Sequence, residues 1–191
     1  MLSQKCYTVV TIGLLECRGM EKRQLTIPEV LKFARHDFLN ELQIILMHID
    51  LGDAQQAKQS IMKTTEIMKQ QAMLERLGLP ETEKWIMTFE WMYTTFHKTL
   101  SCTIHPGIRE VSDQKVVAYM ERIFRGVEQV LDPMSDYEVH FDITTDQHDW
   151  SIAITVDGAL PEKENASITE ENFIVEETNS HNLWMFTIRG Q

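Results

Sequence analysis

Glycine is scarce in this chain: eight residues in 191, with no Gly-x-Gly anywhere. A loop that cradles a triphosphate needs glycines so that backbone N–H groups can approach the phosphates. A glycine-lined nucleotide site is thereby excluded. Cysteine is scarcer still, and Cys6, Cys17 and Cys102 form neither a CxxC pair nor a Cys/His group with metal-ligand spacing. An odd number so placed excludes a disulfide framework and a zinc site, and a reduced, cytoplasmic setting fits best. Positive charge is also short. Eighteen Lys+Arg against twenty-nine Asp+Glu leave a net charge of −11, which opposes polyanions over most of the surface, so neither nucleic acid nor an anionic membrane is expected as a partner. The N-terminal apolar run from Tyr7 to Leu15 is too short to span a bilayer and has only Lys5 before it, a poor signal peptide. Residues 1–24 are read as an extension outside the fold and expected to be disordered. Met20-Glu21-Lys22-Arg23 could equally begin the protein, and a start there would remove two of the three cysteines.

What is present is a helix with an unusually broad apolar arc. At about 100° per residue, Ile27, Val30, Leu31, Ala34, Phe38, Leu42, Ile45 and Ile49 share one side, and Phe33, Leu39, Ile44 and Leu46 widen it on both flanks. The remaining strip holds Glu29, Lys32, His36, Asn40 and Gln43. One packing partner would leave Phe33 or Leu46 in water, so the helix needs neighbours on two sides. Only its polar strip is then open to another molecule. An imidazole there can be phosphorylated, act as a base or bind a metal.

The helix is expected from about Thr26, as N-cap, to Asp50, with Pro28 in the first turn. Gly52 and Asp53 supply a stop and the next cap. A second helix, Ala54 to Leu77, has the seam Ala54, Ala57, Ile61, Thr64, Met68 and Ala72, and folds back antiparallel. Such a hairpin cannot cover both flanks of its own first helix, and a second copy, giving a dimeric four-helix bundle, is the simplest remedy. After Pro80 the pattern changes. A helix is expected from Glu81 to Phe96, a strand from Thr99 to Ile104 and a helix from Asp113 to Leu131. Hairpins follow at Tyr137–Thr144 with Trp150–Val156 and at Phe173–Glu177 with Leu183–Ile188. The acidic segment from Leu160 to Glu171 is read as a loop. The fold class is α+β: residues 25–79 form the helical hairpin and dimerisation unit, and residues 80–191 an α/β sandwich.

The stretch Arg35-His36-Asp37-Phe38-Leu39-Asn40-Glu41-Leu42-Gln43-Ile44-Ile45 closely resembles the phosphoacceptor helix of the sporulation initiation phosphotransferase B family. The likeness runs in the same order from about Ile27 to Gly190. The same word is similar to the phosphoacceptor box of citrate- and dicarboxylate-sensing histidine kinases, so the C-terminal half must separate the two. A kinase ATP domain needs an N-box asparagine, a D-x-G-x-G loop and a second glycine-rich stretch. Here no asparagine lies between Asp113 and Leu131, and Val156-Asp157-Gly158-Ala159-Leu160-Pro161 lacks the second glycine. Residues 80–191 resemble a kinase ATP domain without its nucleotide motifs.

The resemblance implies that His36 accepts a phosphoryl group from the aspartyl phosphate of a single-domain response regulator. It then passes the group to the aspartate of a sporulation transcription factor with a receiver domain. Positioning and charge neutralisation should supply most of the catalysis. Arg35, at one edge of the strip, and Lys32, one turn back, are candidates to neutralise phosphoryl oxygens. Asn40, one turn on, could hydrogen-bond the phosphoryl group, and Asp37 could fix the His36 tautomer through Nδ1. No cofactor of its own is expected, and Mg²⁺ should come with the regulator. Two alternatives stand beside this reading: a non-catalytic docking module for response regulators, and an autophosphorylating kinase of citrate-sensor type.

Overall fold

A computed structural model describes residues 25–190, apart from 130, 133, 147–148, 159, 161–164, 171 and 181. The expectation for residues 1–24 lies outside the described residues.

The chain opens with helix α1, Ile27–Asp50, and helix α2, Ala54–Leu74. At the start of α1 the Glu29 carboxylate accepts the Thr26 backbone N–H at 2.8 Å and the Thr26 hydroxyl at 2.7 Å, which satisfies a donor that the helix leaves free. Gly52, at φ 74°, makes the sharp reversal. Asp53 then accepts the Gln56 N–H at 3.0 Å and caps α2. The two helices run antiparallel, tied across the seam by Thr64 Oγ1 donating to Glu41 Oε2 at 3.1 Å.

Two expected features of the hairpin are corrected. Helix α2 ends at Leu74 instead of Leu77, and Gly78 at φ 80° completes the turn out of it. The face of α2 that meets α1 carries Ala57, Ser60 and Thr64, whereas Ile61 and Met68 are about half exposed. Small side chains thus line the close approach, while Ile61 and Met68 keep about half of their surface in solvent. Helix α1 has no buried residue at all.

The rest of the chain is a helix-on-sheet layer. Its elements are α3 Pro80–Met87, α4 Phe89–Met92, β1 Phe96–Thr103, α5 Asp113–Glu128, β2 Tyr137–Thr145, β3 Trp150–Asp157, β4 Ala166–Thr169, β5 Phe173–Ser180 and β6 Leu183–Gly190. The strands make one six-stranded sheet in the order β1-β2-β3-β6-β5-β4, parallel between β1 and β2 and antiparallel elsewhere. Alternation in β2 and β3 puts Val139, Phe141, Ile143, Ile152, Ile154 and Val156 on the inner face. There they meet Val116, Met120, Ile123, Phe124 and Val127 of α5 in one core. Phe89 meets Phe124 and Phe141 edge-on, and Trp85 meets Phe141 edge-on and lies tilted against Phe124.

The single helix expected from Glu81 to Phe96 is instead two short ones. At the break the Thr88 hydroxyl bonds the Lys84 carbonyl at 2.8 Å, local side-chain bonding that competes with helix continuation. Strand β4 lies in the segment read as a loop. It pairs with β5 from Ala166 opposite Glu177 to Thr169 opposite Ile174.

Strand β1 is an edge of the sheet, and its outer N–H groups meet the helices. Cys102 N–H donates to Gln70 Oε1 of α2 at 2.7 Å, and Lys98 N–H donates to Glu90 Oε1 of α4 at 2.9 Å. The hairpin therefore leans on a strand edge that would otherwise be open to pairing.

Candidate functional site

The polar strip of α1 faces outward. The His36 side chain is 70% exposed and the Asp37 side chain 58%, with Lys32, Asn40 and Gln43 exposed beside them. Two contacts reach the imidazole, and both fall on Nδ1: Asp37 Oδ1 at 3.3 Å and the Asn40 side-chain amide at 3.2 Å. Among the described residues no hydrogen bond falls on Nε2. One ring nitrogen is thus engaged by neighbouring side chains of α1, on a ring that is largely in solvent.

The remaining sequence candidates are placed unevenly around this ring. Asn40 and Asp37 touch it. Arg35 does not: its Nε donates to the Leu31 carbonyl at 3.2 Å, folding the side chain back along its own helix. Reaching a group on His36 would require Arg35 to leave that bond. Lys32 is exposed one turn before His36.

Two residues missed in the sequence belong to the same neighbourhood. Trp91, on α4, donates its indole N–H to Asp37 Oδ2 at 2.9 Å and stacks on Phe33, ring centroids 5.5 Å apart and planes 24° from parallel. Lys98, on β1, is nearly enclosed, its side chain 9% exposed and its ammonium 4.0 Å from Glu90 Oε2. It donates to the Ile86 carbonyl at 2.7 Å and the Met87 carbonyl at 3.3 Å. Burial pushes its pKa below the ordinary lysine value, opposed by the carboxylates of Glu90 and Asp37. Asp37 is thus held between an imidazole on its own helix and an indole, with a lysine in its field, from the sheet side. A signal for Trp91 was present in the sequence: it falls outside the spacing Trp85, Ile86, Phe89, Met92, Tyr93 that fills the core. A large aromatic out of phase with a buried stripe has to cover something else.

A cleft of about 800 Å³ lies elsewhere, lined by Glu110, Asp149, Trp150, Thr169 and Arg189 among others, and includes none of these residues. Among the described residues no group of three or more His, Cys, Asp or Glu side chains could hold a metal ion. No helix among them is long and apolar enough to cross a membrane.

Residues 19–77 match the family described as Sensor_kinase_SpoOB-type, alpha-helical domain. The helical hairpin is a match to a SpoOB-type domain. The SpoOB-type match takes in both helices of the hairpin and every sequence candidate around His36. In addition, 130 residues of the chain are 25% identical to sporulation initiation phosphotransferase B of Bacillus subtilis (strain 168), covering 67% of this chain and 67% of that protein. Solved structures with a partial likeness to the chain include the Acinetobacter baumannii histidine kinase AdeS, with TM-score 0.39 and 13% identity over 82% of this chain and 97% of that one. A second is histidine kinase ThkA in complex with response regulator protein TrrA, with TM-score 0.35 and 10% identity over 85% of this chain and 60% of that one.

Proposed function

We propose that the chain is a histidine phosphotransferase of a sporulation phosphorelay. His36 accepts a phosphoryl group from the aspartyl phosphate of one response regulator and passes it to the aspartate of a second. The observation that carries this reading is the exposed His36 ring with both protein contacts on Nδ1. A neutral imidazole protonated on Nδ1 offers its Nε2 lone pair. That pair attacks phosphorus as the bond to the aspartyl oxygen breaks, and the donor leaves as a carboxylate. Asp37 Oδ1 faces the Nδ1 proton of the cationic phosphohistidine so formed, and the second carboxylate reverses the step. Asn40, one turn on, is assigned to hydrogen-bond the phosphoryl oxygens once its amide leaves Nδ1, Lys32 supplies positive charge one turn back, and Arg35 does so once released from the Leu31 carbonyl. The Mg²⁺ that phosphoryl transfer uses is assigned to the receiver partner. Two copies of the chain pair through their hairpins into a four-helix bundle.

The reading is supported by the SpoOB-type match over the hairpin and by the likeness to a phosphotransferase over two thirds of the chain. It is tested by incubating the protein with a single-domain receiver charged from ³²P-labelled acetyl phosphate. Acid-labile, alkali-stable label is expected on the wild type and absent from His36→Ala. Tight receiver binding without label would overturn it in favour of docking alone. Labelling by [γ-³²P]ATP with no receiver, lost in His36→Gln, would overturn it in favour of a kinase.

A further inference from the structure

The contacts that begin at His36 do not end on its own helix. We propose that Trp91 is a positioning residue for His36: by holding Asp37 from the sheet side, its indole N–H keeps the imidazole proton on Nδ1 and the Nε2 lone pair free. The proposal rests on the reading of His36 as phosphoacceptor.

Nδ1 has two neighbours that can select opposite tautomers. A carboxylate only accepts, so Asp37 Oδ1 at 3.3 Å favours Nδ1–H. An amide NH₂ donates, so Asn40 at 3.2 Å in its present orientation favours an unprotonated Nδ1 and moves the proton to Nε2. The second arrangement removes the lone pair that must attack phosphorus. Asn40 can reverse the choice by turning its carbonyl oxygen inward, whereas an ionised carboxylate cannot become a donor. The outcome therefore depends on how firmly Asp37 is held beside the ring.

By itself Asp37 is held poorly. Adjacent residues on a helix point about 100° apart, and more than half of this side chain is in solvent. What fixes the carboxylate is its other oxygen, which takes the Trp91 N–H at 2.9 Å. The indole is in turn fixed in plane by Phe33, one turn before Asp37 on the same helix. Lys98 adds a buried positive charge whose field reaches Asp37. The tie spans 54 residues of sequence, so the sheet layer acts on the ring through α4 and β1. A layer without glycine-rich phosphate loops then has a defined task.

The decisive variant is Trp91→Phe, which keeps an aromatic ring against Phe33 and removes only the N–H. Ring-¹⁵N-labelled protein is observed at pH 8.5, with His36 assigned by His36→Gln. The wild type is expected to show the Nδ1–H pattern at His36, and Trp91→Phe an Nε2–H pattern or a fast mixture. Phosphoryl transfer from the charged receiver should fall about tenfold in kcat with KM for the receiver unchanged. Asp37→Ala, which leaves Trp91 in place, should give the same tautomer change, and Trp91→Phe on that background should cost nothing more. An unchanged tautomer and rate in Trp91→Phe, or an equal further loss on the Asp37→Ala background, would sink the proposal. The NMR arm needs no phosphoryl donor. A tautomer that follows Trp91 in a protein that takes no label therefore supports the tie while refuting phosphotransfer, and the opposite pair of results refutes the tie alone.

Discussion

The thiol of Cys102 points into the core of an edge strand, 8% exposed, where a charged form has nowhere to go. Burial first, and the Asp142 carboxylate second, push its pKa from 9.0 to about 12. A folded-state pKa above the unfolded value gives stability that is fully present below pH 9. That stability is lost as pH rises toward the folded value, because the unfolded chain releases the proton first. Two outcomes follow. Iodoacetamide at pH 8.5 should leave Cys102 unmodified in the native protein and modify it in urea, as read by peptide mass mapping. The Tm advantage of the wild type over Cys102→Ser should also shrink between pH 9 and 11. Comparing the two proteins at each pH isolates this group, since Tyr93, raised to about 12 by burial and then Glu121, acts in the same direction. Rapid alkylation of the folded protein would mean that β1 opens locally, and with it the edge on which α2 rests.

Helix α3 is eight residues long and begins with proline, too short to persist on propensity alone. Its N-terminus is held from another helix: the Asp113 carboxylate accepts Glu81 N–H at 2.6 Å, Thr82 N–H at 2.9 Å and the Thr82 hydroxyl at 2.6 Å. Thr82 is fully buried, so truncation leaves donors that water reaches poorly. Asp113→Ala should cost about 2–3 kcal/mol by denaturant titration, from the loss of a cap and of charge-assisted bonds. Asp113→Asn should keep part of that. A loss under about 0.5 kcal/mol would show the cap to be idle. The same element explains what a sequence can disclose. Helices α1 and α2 and strands β2, β3, β5 and β6 carry strong periodicity because one face of each is set by a neighbour, and their positions are legible within a few residues. Strand β4 is four residues with no buried position, so no alternation marks it. The break at Thr88 depends on a hydroxyl choosing a carbonyl one turn back. Around His36, the residues on α1 can be read from helical spacing. Trp91 is marked locally only by falling out of phase with the core stripe, whereas its partner Asp37, 54 residues away, and the approach of Lys98 come from tertiary packing that no local pattern reports.

At the scale of the whole molecule the exposed hydrophobic surface demands an account. Ile27, Leu31, Leu42 and Ile49 are 77%, 56%, 45% and 56% exposed along one line of α1, and Ile61 and Met68 of α2 stand half exposed as well. A continuous apolar stripe of this length is a site of association, and burying each such side chain contributes about 1.5–3 kcal/mol. A second hairpin presents the same stripe, so a two-fold pairing satisfies both at once. His36 is five residues from Leu31, about 140° round the helix, so pairing along the stripe leaves the imidazole open while closing the apolar face. Light scattering after size exclusion should therefore give twice the 22.3 kDa chain mass. Leu31→Lys combined with Ile49→Lys should give a single-chain mass with lower helix content. The sheet layer has its own core in Phe124, Phe141, Ile154 and Phe186, so the variant's tryptophan emission should stay blue. A wild type that runs at one chain mass at tens of micromolar would require the stripe to be covered by something other than a second copy.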